Sequence, residues 1–403
     1  MTDTGLMRAP ASVLFGAGAA AAAGRVASPH GRRALVCTDD FFASSAALRG
    51  LLASLRGAGL EVEVLAAAEP ELPLSSVEAA IAAAARLQPD CLIGLGGGSC
   101  LDLAKLVALG LSVGLPLSRC YGENAVPGPT LPVIALPTTA GTGSEVTPVA
   151  VLTDPSSALK VGVSSPHLVP RAAICDPLLS HGAPPSVSAH AGIDALAHAV
   201  EAYCAVKRPD WSDIGERVFV GRNAISDVFA LRAIALIGEA LPRAVADEPE
   251  AREAMALGSL CAGLAFGTAG TALAHALQYP IGARTGTSHG LGIGLLLPYT
   301  MAFNSSAVPE RTAAIGGALG AGEDAASAIA RVRELAAEVG IPSRLGEIGL
   351  GPESPRPIAA QSLTIARLVE NNPRAVTEAD LLALLEQAVS GDPEALIETT
   401  EEQ

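Results

Sequence analysis

Four residues of metal-binding type lie in the second half of the chain, and two of them are one helical turn apart. Asp194 and His198 occur in the alanine-rich stretch Gly192–Ala202, which predicts a helix with both side chains on one face. Alone, this pair would equally fit an acidic residue favoured by the helix dipole beside an incidental histidine. His275 and His289 supply two further imidazoles. One carboxylate and three imidazoles suit a divalent first-row metal, either iron(II) or zinc, and leave room for a substrate oxygen.

The first half of the chain contains a loop with the composition of a phosphate-binding site. Three consecutive glycines, Gly96–Gly98, join a predicted strand to a helix that begins after Ser99. Glycines let the backbone approach a diphosphate closely, and the following helix N-terminus offers N–H groups to it. The glycines lack the Gly-x-Gly-x-x-Gly spacing, so an ordinary Rossmann site is not indicated. A simple tight turn is the alternative explanation.

A second polar loop and one acidic residue extend this candidate nucleotide site. Pro137–Glu145 is rich in hydroxyls and glycines and follows the next predicted strand. Open α/β sheets bind ligands at this carboxyl edge, so the loop could wrap a phosphate or a ribose. Asp39 follows an earlier strand, and we expect its carboxylate to face a ribose 2′-hydroxyl. Such a carboxylate would also repel a 2′-phosphate.

Composition narrows the class of protein. The chain has 403 residues, 50% of them hydrophobic, and a net charge of −15 without a basic stripe, which argues against nucleic acid as a partner. Seven singly spaced cysteines fit reduced thiols in a cytoplasmic protein. Met1–Pro10 lacks the features of a signal peptide. Ala256–Ile281 carries no charge and is long enough to span a bilayer, but its glycines and polar residues favour a buried helix pair, so no membrane association is expected.

Short apolar strands alternate with helical patterns in the first half, which predicts a parallel sheet covered on both faces. The predicted strands are 33–38, 61–65, 91–95 and 132–136, with helices at 43–55, from 75 and after 99. A hairpin is expected from 146–153 and 159–164, turned at 154–157.

The second half is predicted to be almost entirely helical. The helices are expected at 187–204, 214–245, 251–278, after 289, and at 323–339, 358–370 and 377–389. The change of pattern falls near 178–184, which predicts an α/β domain at 1–180 and a helical domain at 181–403. Ligands commonly bind in the cleft between two such domains.

Together these motifs resemble the iron-containing (group III) alcohol dehydrogenases. Gly96–Lys105, Pro137–Glu145, the Asp194/His198 pair and His275 with His289 occur in the family's order and spacing, and Asn371–Arg374 resembles its C-terminal segment. The resemblance covers nearly the whole chain. It implies the dehydroquinate synthase-like fold: an α/β N-terminal domain with a parallel nucleotide-binding sheet, plus an all-α metal-binding C-terminal domain. It also implies a nicotinamide cofactor in the cleft. Because the Asp39 carboxylate would repel a 2′-phosphate, we predict NAD as this cofactor, with NADP possible.

The resemblance also assigns roles by position. The cofactor contacts would be Asp39, Gly97, Gly98, Ser99, Asp102, Thr138, Thr139, Thr142 and Lys160. The metal ligands would be Asp194, His198, His275 and His289, and the substrate pocket would include Val149, Val151, Phe266 and Leu368. These pocket positions are apolar, which favours a small or medium aliphatic substrate.

One position departs from the family pattern. Members usually have a second histidine one turn after the ligand that corresponds to His275, whereas this chain has Tyr279. A proton relay through that histidine is therefore not available here. Tyr279 is the candidate catalytic residue in its place, either as a proton donor or as a residue that shapes the pocket.

The predicted function is reversible, metal-dependent hydride transfer between a primary alcohol or its aldehyde and NAD(H), by a homodimer or higher homo-oligomer. A metal-independent maleylacetate-type reductase of the same fold is one alternative, but it would lack the ligands. A dehydroquinate synthase type needs a basic substrate pocket, and few Lys or Arg lie near these ligands in the sequence. A nucleotide-binding or self-assembling protein without turnover is an alternative of another class.

Overall fold

The computed structural model describes residues 5–157, 160–208 and 214–397, so the N-terminal stretch considered above is described only from Gly5 onward. Contacts divide the chain into two compact units. The α/β unit comprises Arg8–Gly182 and Ser212–Val218. The helical unit comprises Met1–Met7, Ala183–Trp211 and Phe219–Gln403.

The α/β unit is built on a six-stranded parallel sheet of order β1-β9-β6-β4-β2-β3. Its strands are β1 (Ser12–Phe15), β2 (Arg33–Thr38), β3 (Glu61–Ala66), β4 (Cys91–Gly96), β6 (Val133–Pro137) and β9 (Ala172–Cys175). The four strands predicted from the sequence are therefore present, each within one residue of its expected bounds. Their short apolar runs are typical of strands that are buried on both faces.

A second, three-stranded sheet contains the predicted hairpin. It has the order β5-β8-β7, with β5 at Gly122–Glu123, β7 at Val149–Leu152 and β8 at Val161–Ser164. Strands β7 and β8 pair antiparallel, as expected, but are shorter than predicted. Asp154 stabilises the turn, because its Oδ1 accepts hydrogen bonds from the backbone and hydroxyl of Ser156. Leu159, the predicted first residue of the second strand, lies outside the described residues.

Helices cover both faces of the parallel sheet, as predicted. Alternate residues of β2 belong to opposite cores: Val36 packs with Leu51 and Leu55 on one face, and Cys37 packs with Leu103 on the other. The helices are α1 (Ala23–Ala27), α2 (Asp40–Ala43), α3 (Ala46–Gly57), α4 (Leu74–Leu87) and α5 (Gly98–Val113). The prediction that a single helix begins at 43 was wrong.

Local capping explains that correction. Ser45 separates α2 from α3 with extended backbone dihedrals, and its hydroxyl accepts a hydrogen bond from the Leu48 backbone N–H. A serine hydroxyl at this position satisfies one of the N–H groups that a helix start leaves unpaired. The longer helix α3 therefore begins only at Ala46.

The helical unit contains ten α-helices within the described residues. They are α6 (Pro185–Cys204), α7 (Ala224–Val245), α8 (Pro249–Ala269), α9 (Leu273–Thr285), α10 (His289–Asn304), α11 (Pro309–Ala318), α12 (Ala325–Glu338), α13 (Pro355–Leu363), α14 (Ala366–Val369) and α15 (Glu378–Ser390). Three sequence predictions need correction. Residues 214–223 are not helical, and the single helices expected at 251–278 and 358–370 are each two helices.

The late start of α7 has a local cause. Asn223 caps the helix by accepting from the backbone of Ser226, and the Ser226 hydroxyl is hydrogen-bonded to the Asn223 backbone in return. This reciprocal pair satisfies the first turn at Ala224 and fixes the helix start there. In the non-helical stretch before α7, the carbonyls of Ile214 and Val218 accept hydrogen bonds from the Arg8 guanidinium.

The break between α8 and α9 is stabilised from outside both helices. Gly270 ends α8 with a φ of 83°, a conformation that favours glycine. The Asn371 side-chain amide donates to the carbonyl of Ala269, the last residue of α8, and to that of Thr271 between the two helices. The two helices bend by 101°, and no single helix among the described residues is long and apolar enough to cross a bilayer.

Candidate metal centre and nucleotide loops

Three helices of the helical unit bring the four predicted metal ligands together. Helix α6 carries Asp194 and His198, α9 carries His275 in its first turn, and α10 begins with His289. The Nε2 atoms of His198, His275 and His289 lie 3.8, 3.7 and 3.9 Å from the same atom, Asp194 Oδ1. Three ring nitrogens are therefore grouped around one carboxylate oxygen.

The geometry and burial of this group fit a metal ion. Two ligand atoms at ~2.1 Å from a common tetrahedral ion lie ~3.4 Å apart, so the distances to Asp194 Oδ1 need only a small contraction. The ligand atoms of Asp194, His198 and His275 all lie within 4.8 Å of one another, and His289 adjoins this group through its 3.9 Å separation from Asp194 Oδ1. Asp194, His198 and His275 are each 5% exposed. Within the described residues, Nε2 of His275 is a buried nitrogen without a hydrogen-bond partner. Such a nitrogen is costly unless a ligand occupies it, and a divalent ion is the ligand this donor set prefers.

Glu201 is a buried carboxylate beside the group that the sequence analysis did not assign. Its Oε2 lies 2.5 Å from His275 Nδ1. Burial disfavours the His275 imidazolium, but Glu201 and Asp194 favour it, and the pKa of His275 is raised overall. Glu201 follows Asp194 by seven residues, two helical turns, so the helical spacing of Asp194 and His198 contained a signal that could have found it.

A second contact from α6 reaches the start of α10. His190, one turn before Asp194, has its Nδ1 2.8 Å from the Ser288 hydroxyl, the residue before His289. A Cβ at Gly290 would lie 2.1 Å from the His190 carbonyl, so only glycine permits this close approach. Helix α6 therefore also contacts the two residues that flank His289.

We expect Ser288→Ala to weaken metal binding without abolishing it. Ser288 precedes α10 but its hydroxyl caps no backbone N–H, so the substitution removes only the bond to His190. The loss should stay below the ~10–100-fold that a direct hydrogen-bond partner of a ligand contributes, because Ser288 acts through its neighbour. Competition titration with zinc measures the change in affinity. Ser390→Ala, an exposed serine of α15, is the matched control and should leave the zinc affinity unchanged.

Apolar and aromatic side chains surround the histidines. The Phe266 ring stacks on His198, with centroids 4.1 Å apart and planes 18° from parallel. The half-buried Tyr279 ring lies 6.2 Å from the His289 ring, centroid to centroid. Leu368, on the short helix α14, is fully buried. Of the predicted catalytic and pocket residues in this unit, Phe266 and Tyr279 thus adjoin the histidines directly.

In the α/β unit, the two predicted nucleotide loops are adjacent. Gly96 of β4 pairs with Pro137 of β6, so the loops that follow leave the sheet side by side. A Cβ at Gly98 would lie 2.9 Å from Thr142, and one at Gly97 would lie 3.5 Å from Thr139. The absence of a side chain on Gly98 therefore lets Thr142 approach the backbone, whereas the contact at Gly97 is of ordinary length.

The other predicted residues of these loops occupy different settings. Thr138 is buried, and among the described residues its hydroxyl has no hydrogen-bond partner. Ser99 is half-buried in the first turn of α5. Lys160 precedes β8 and forms an ion pair with Glu71.

Asp39 lies next to the glycine loop, as the sequence analysis expects. It follows β2, and its Oδ1 accepts a hydrogen bond from the Phe42 backbone, which caps α2. Its Oδ2 accepts a weaker bond from the thiol of Cys100, 3.6 Å away, in the first turn of α5. The half-buried carboxylate is thus held at the carboxyl edge of the sheet.

Asp102 and Lys105 anchor the loop and strand β7. The Asp102 carboxylate accepts from the Ser144 hydroxyl at 2.5 Å and from the Val151 backbone at 2.9 Å. The buried Lys105 ammonium donates to the carbonyls of Thr147 and Val149. Burial raises the pKa of Asp102 and lowers the pKa of Lys105 to about 8. Val149 and Val151, predicted pocket residues, are half-buried on this anchored strand.

Comparison with known proteins agrees with the geometry. A model described as iron-containing alcohol dehydrogenase matches residues 10–177, and the C-terminal model of the same family matches residues 188–389. The chain is 38% identical over 379 residues to the probable alcohol dehydrogenase EutG of Salmonella typhimurium, covering 93% of this chain and 92% of that one. It is 34% identical over 390 residues to the NAD-dependent methanol dehydrogenase of Bacillus methanolicus, covering 94% and 98%.

A solved structure shares the fold. The crystal structure of a 1,3-propanediol oxidoreductase superposes with a TM-score of 0.88 at 32% sequence identity. The superposition covers 96% of this chain and 100% of that one. The predicted fold class, an α/β nucleotide-binding unit with a parallel sheet plus an all-helical unit, is confirmed. The chain therefore belongs to the iron-containing alcohol dehydrogenase family and is an oxidoreductase that acts on CH–OH groups.

Proposed function

We propose that the chain interconverts a small or medium primary alcohol and its aldehyde with NAD(H), using a divalent metal held by Asp194, His198, His275 and His289. The observation that carries the proposal is the grouping of three Nε2 atoms within 3.7–3.9 Å of Asp194 Oδ1. When bound there, a divalent ion supplies Lewis acidity toward an alcohol or carbonyl oxygen. Iron(II) is the metal we propose, with zinc as the second candidate.

The side chains of the protein bind and orient the metal, the substrate and the cofactor. Helices α6, α9 and α10 would hold the ion through these four side chains, and we place the substrate oxygen beside the histidines, where the ion would polarise it. The Phe266 ring stacked on His198 places an apolar surface beside the histidines. The nicotinamide supplies the hydride chemistry, and the protein contributes alignment.

Cofactor binding is proposed for the loops of the α/β unit. Backbone N–H groups at the start of α5 and the glycines before it suit a diphosphate. The Thr138 hydroxyl is buried without a hydrogen-bond partner among the described residues, which supports a polar ligand nearby. We propose that Asp39, beside the glycine loop, accepts from a ribose 2′-hydroxyl. We propose NAD rather than NADP, because Asp39 would repel a 2′-phosphate. The Asp102 carboxylate already accepts from Ser144 and Val151, and its contact with the cofactor stays a prediction.

The substrate class follows from the apolar surroundings of the histidines. Phe266 and Leu368 are buried and carry no charge. The relatives named above act, by their names, on methanol and on 1,3-propanediol, which are small primary alcohols. Arg284 of α9 is exposed and donates to the Gln361 side chain.

A panel of alcohols and aldehydes tests the proposal. The protein is stripped with a chelator, reloaded with iron(II) or zinc, and assayed by the absorbance change of NADH. We expect metal-dependent turnover of short primary alcohols and aldehydes. Turnover that survives complete removal of the metal would favour the maleylacetate-type alternative, and no turnover with any metal would favour a non-catalytic nucleotide-binding protein.

Tyr279→Phe tests the role of the tyrosine beside His289. As a proton donor, its hydroxyl should contribute at the lower end of the ~10²–10⁴-fold range of general acid–base catalysis. We expect kcat to fall by about a hundredfold and the pH profile to lose one limb, while metal content is unchanged. Steady-state kinetics across pH measures both. Near wild-type kinetics in the phenylalanine variant would show that Tyr279 only shapes the pocket.

We also propose that the protein is a cytoplasmic homodimer or higher homo-oligomer. All seven cysteines lie within the described residues and are buried free thiols, which fits a reducing compartment. Light scattering coupled to size-exclusion chromatography measures the mass, and a monomer of 40.4 kDa would contradict the oligomer.

A further inference from the structure

Glu201 lies in α6 with 7% of its surface exposed, and three N–H groups of the helical unit meet at its carboxylate. Oε1 accepts from the Ala274 backbone at 2.7 Å, and Oε2 accepts from the Ala272 backbone at 3.0 Å. Oε2 is also 2.5 Å from Nδ1 of His275. All three donors belong to the first turn of α9 or to the residue just before it.

We infer that Glu201 is the positioning residue of this metal centre, which fixes the orientation of His275 and caps α9 with the same carboxylate. The inference rests on the proposed function, because it concerns how the proposed ligand His275 is held. It assigns Glu201 no contact with substrate or cofactor.

Glu201 determines which nitrogen of the His275 ring carries the proton. An ionised carboxylate only accepts hydrogen bonds, so Nδ1 must carry a proton. With the proton on Nδ1, Nε2 presents its lone pair toward Asp194 Oδ1, 3.7 Å away, where the ion would be bound. Glu201 therefore selects the tautomer that can ligate a metal and sets the plane of the ring.

Glu201 also stabilises the start of helix α9. The residue before α9 is Ala272, which has no side-chain cap, and alanine is among the poorest residues at this position. Glu201 supplies the missing acceptor from another helix, and its negative charge also suits the positive end of the α9 dipole. The Ala274 N–H that donates to Glu201 immediately precedes His275 in the chain, so any movement of this contact moves His275.

Glu201→Gln tests the inference at nearly constant volume. A glutamine has one acceptor oxygen and a donor amide, so it cannot accept from all three N–H groups. We expect the dissociation constant for zinc, measured by competition with a chromophoric chelator, to rise by about 10–100-fold. Asp227→Asn is the matched control. It removes a carboxylate of the same unit that pairs with Arg311, and its zinc affinity should stay at the wild-type value.

A spectroscopic measurement separates positioning from a general loss of stability. Nitrogen-15 NMR of histidine-labelled, zinc-loaded protein reports which ring nitrogen carries the proton, and the His275 signals are assigned by their loss in His275→Ala. We expect Nδ1 to be protonated in the wild type and its shift to change in Glu201→Gln but not in Asp227→Asn. Should Glu201→Gln not fold, Glu201→Asp, which keeps the charge on a shorter side chain, should show a smaller rise in the zinc dissociation constant.

The possible outcomes distinguish the role of Glu201 from the existence of the metal site. Wild-type zinc affinity and unchanged His275 shifts in the Glu201 variants would overturn the inference and leave the proposed metal site intact. A wild-type protein that binds neither zinc nor iron(II) would overturn the metal site and the inference together.

Discussion

Replacing His275 by alanine is expected to remove the bound metal and abolish turnover while the protein still binds NAD. The imidazole is one of four proposed ligands, and its Nε2 is the buried nitrogen that faces Asp194. Loss of a ligand should weaken metal binding by more than the ~10–100-fold expected when a residue hydrogen-bonded to a ligand is lost. The proposed nucleotide residues belong to the other unit, Arg8–Gly182, so NAD binding should persist.

Metal analysis of the purified variant and NAD titration by fluorescence measure the two halves of this prediction. His167→Ala is the matched control, because His167 is an exposed histidine of the α/β unit and its loss should change neither quantity. An unchanged metal content in His275→Ala would refute the assignment of His275 as a ligand. Loss of NAD binding together with the metal would indicate a general loss of structure, which circular dichroism would reveal.

Asp39→Gly is expected to raise the use of NADP relative to NAD. The carboxylate that would accept from the ribose 2′-hydroxyl and repel a 2′-phosphate is removed. Glycine is chosen because Asp39 also caps α2 through Phe42, and glycine at this position costs only a few tenths of a kcal/mol. We expect the ratio of kcat/KM for NADP to that for NAD to rise by about tenfold or more, equivalent to ~1.4 kcal/mol.

Asp40→Asn is the control for this prediction. Asp40 is exposed and adjacent in sequence, so its replacement changes the net charge in the same direction without removing the cap. An equal rise in the NADP preference for both variants would show that general charge, rather than Asp39, sets the selectivity. An unaltered preference in Asp39→Gly would show that the selecting group lies elsewhere.

Local sequence determined most of the secondary structure of the α/β unit. Runs such as Arg33–Thr38 and Cys91–Gly96 are short and apolar, and a strand of this kind can be stable only where both faces are covered. The glycines after β4 and the hydroxyls after β6 needed no tertiary information to predict adjacent loops, because parallel strands end at one edge. The types and spacing of Asp194, His198, His275 and His289 likewise predicted that they would converge.

Tertiary structure alone decided the features that depend on contacts distant in the sequence. The break at Gly270 is held by Asn371, a hundred residues later, so the uninterrupted apolar pattern of 251–278 predicted one helix where there are two. The carboxylate of Asp102 is used by Ser144 and Val151, which no local pattern indicates. The spacing of Glu201 from Asp194 puts it on the same face of α6, but its hydrogen bonds to Ala274 and His275 form only when α9 packs against α6, because bonds between two helices are set by their packing.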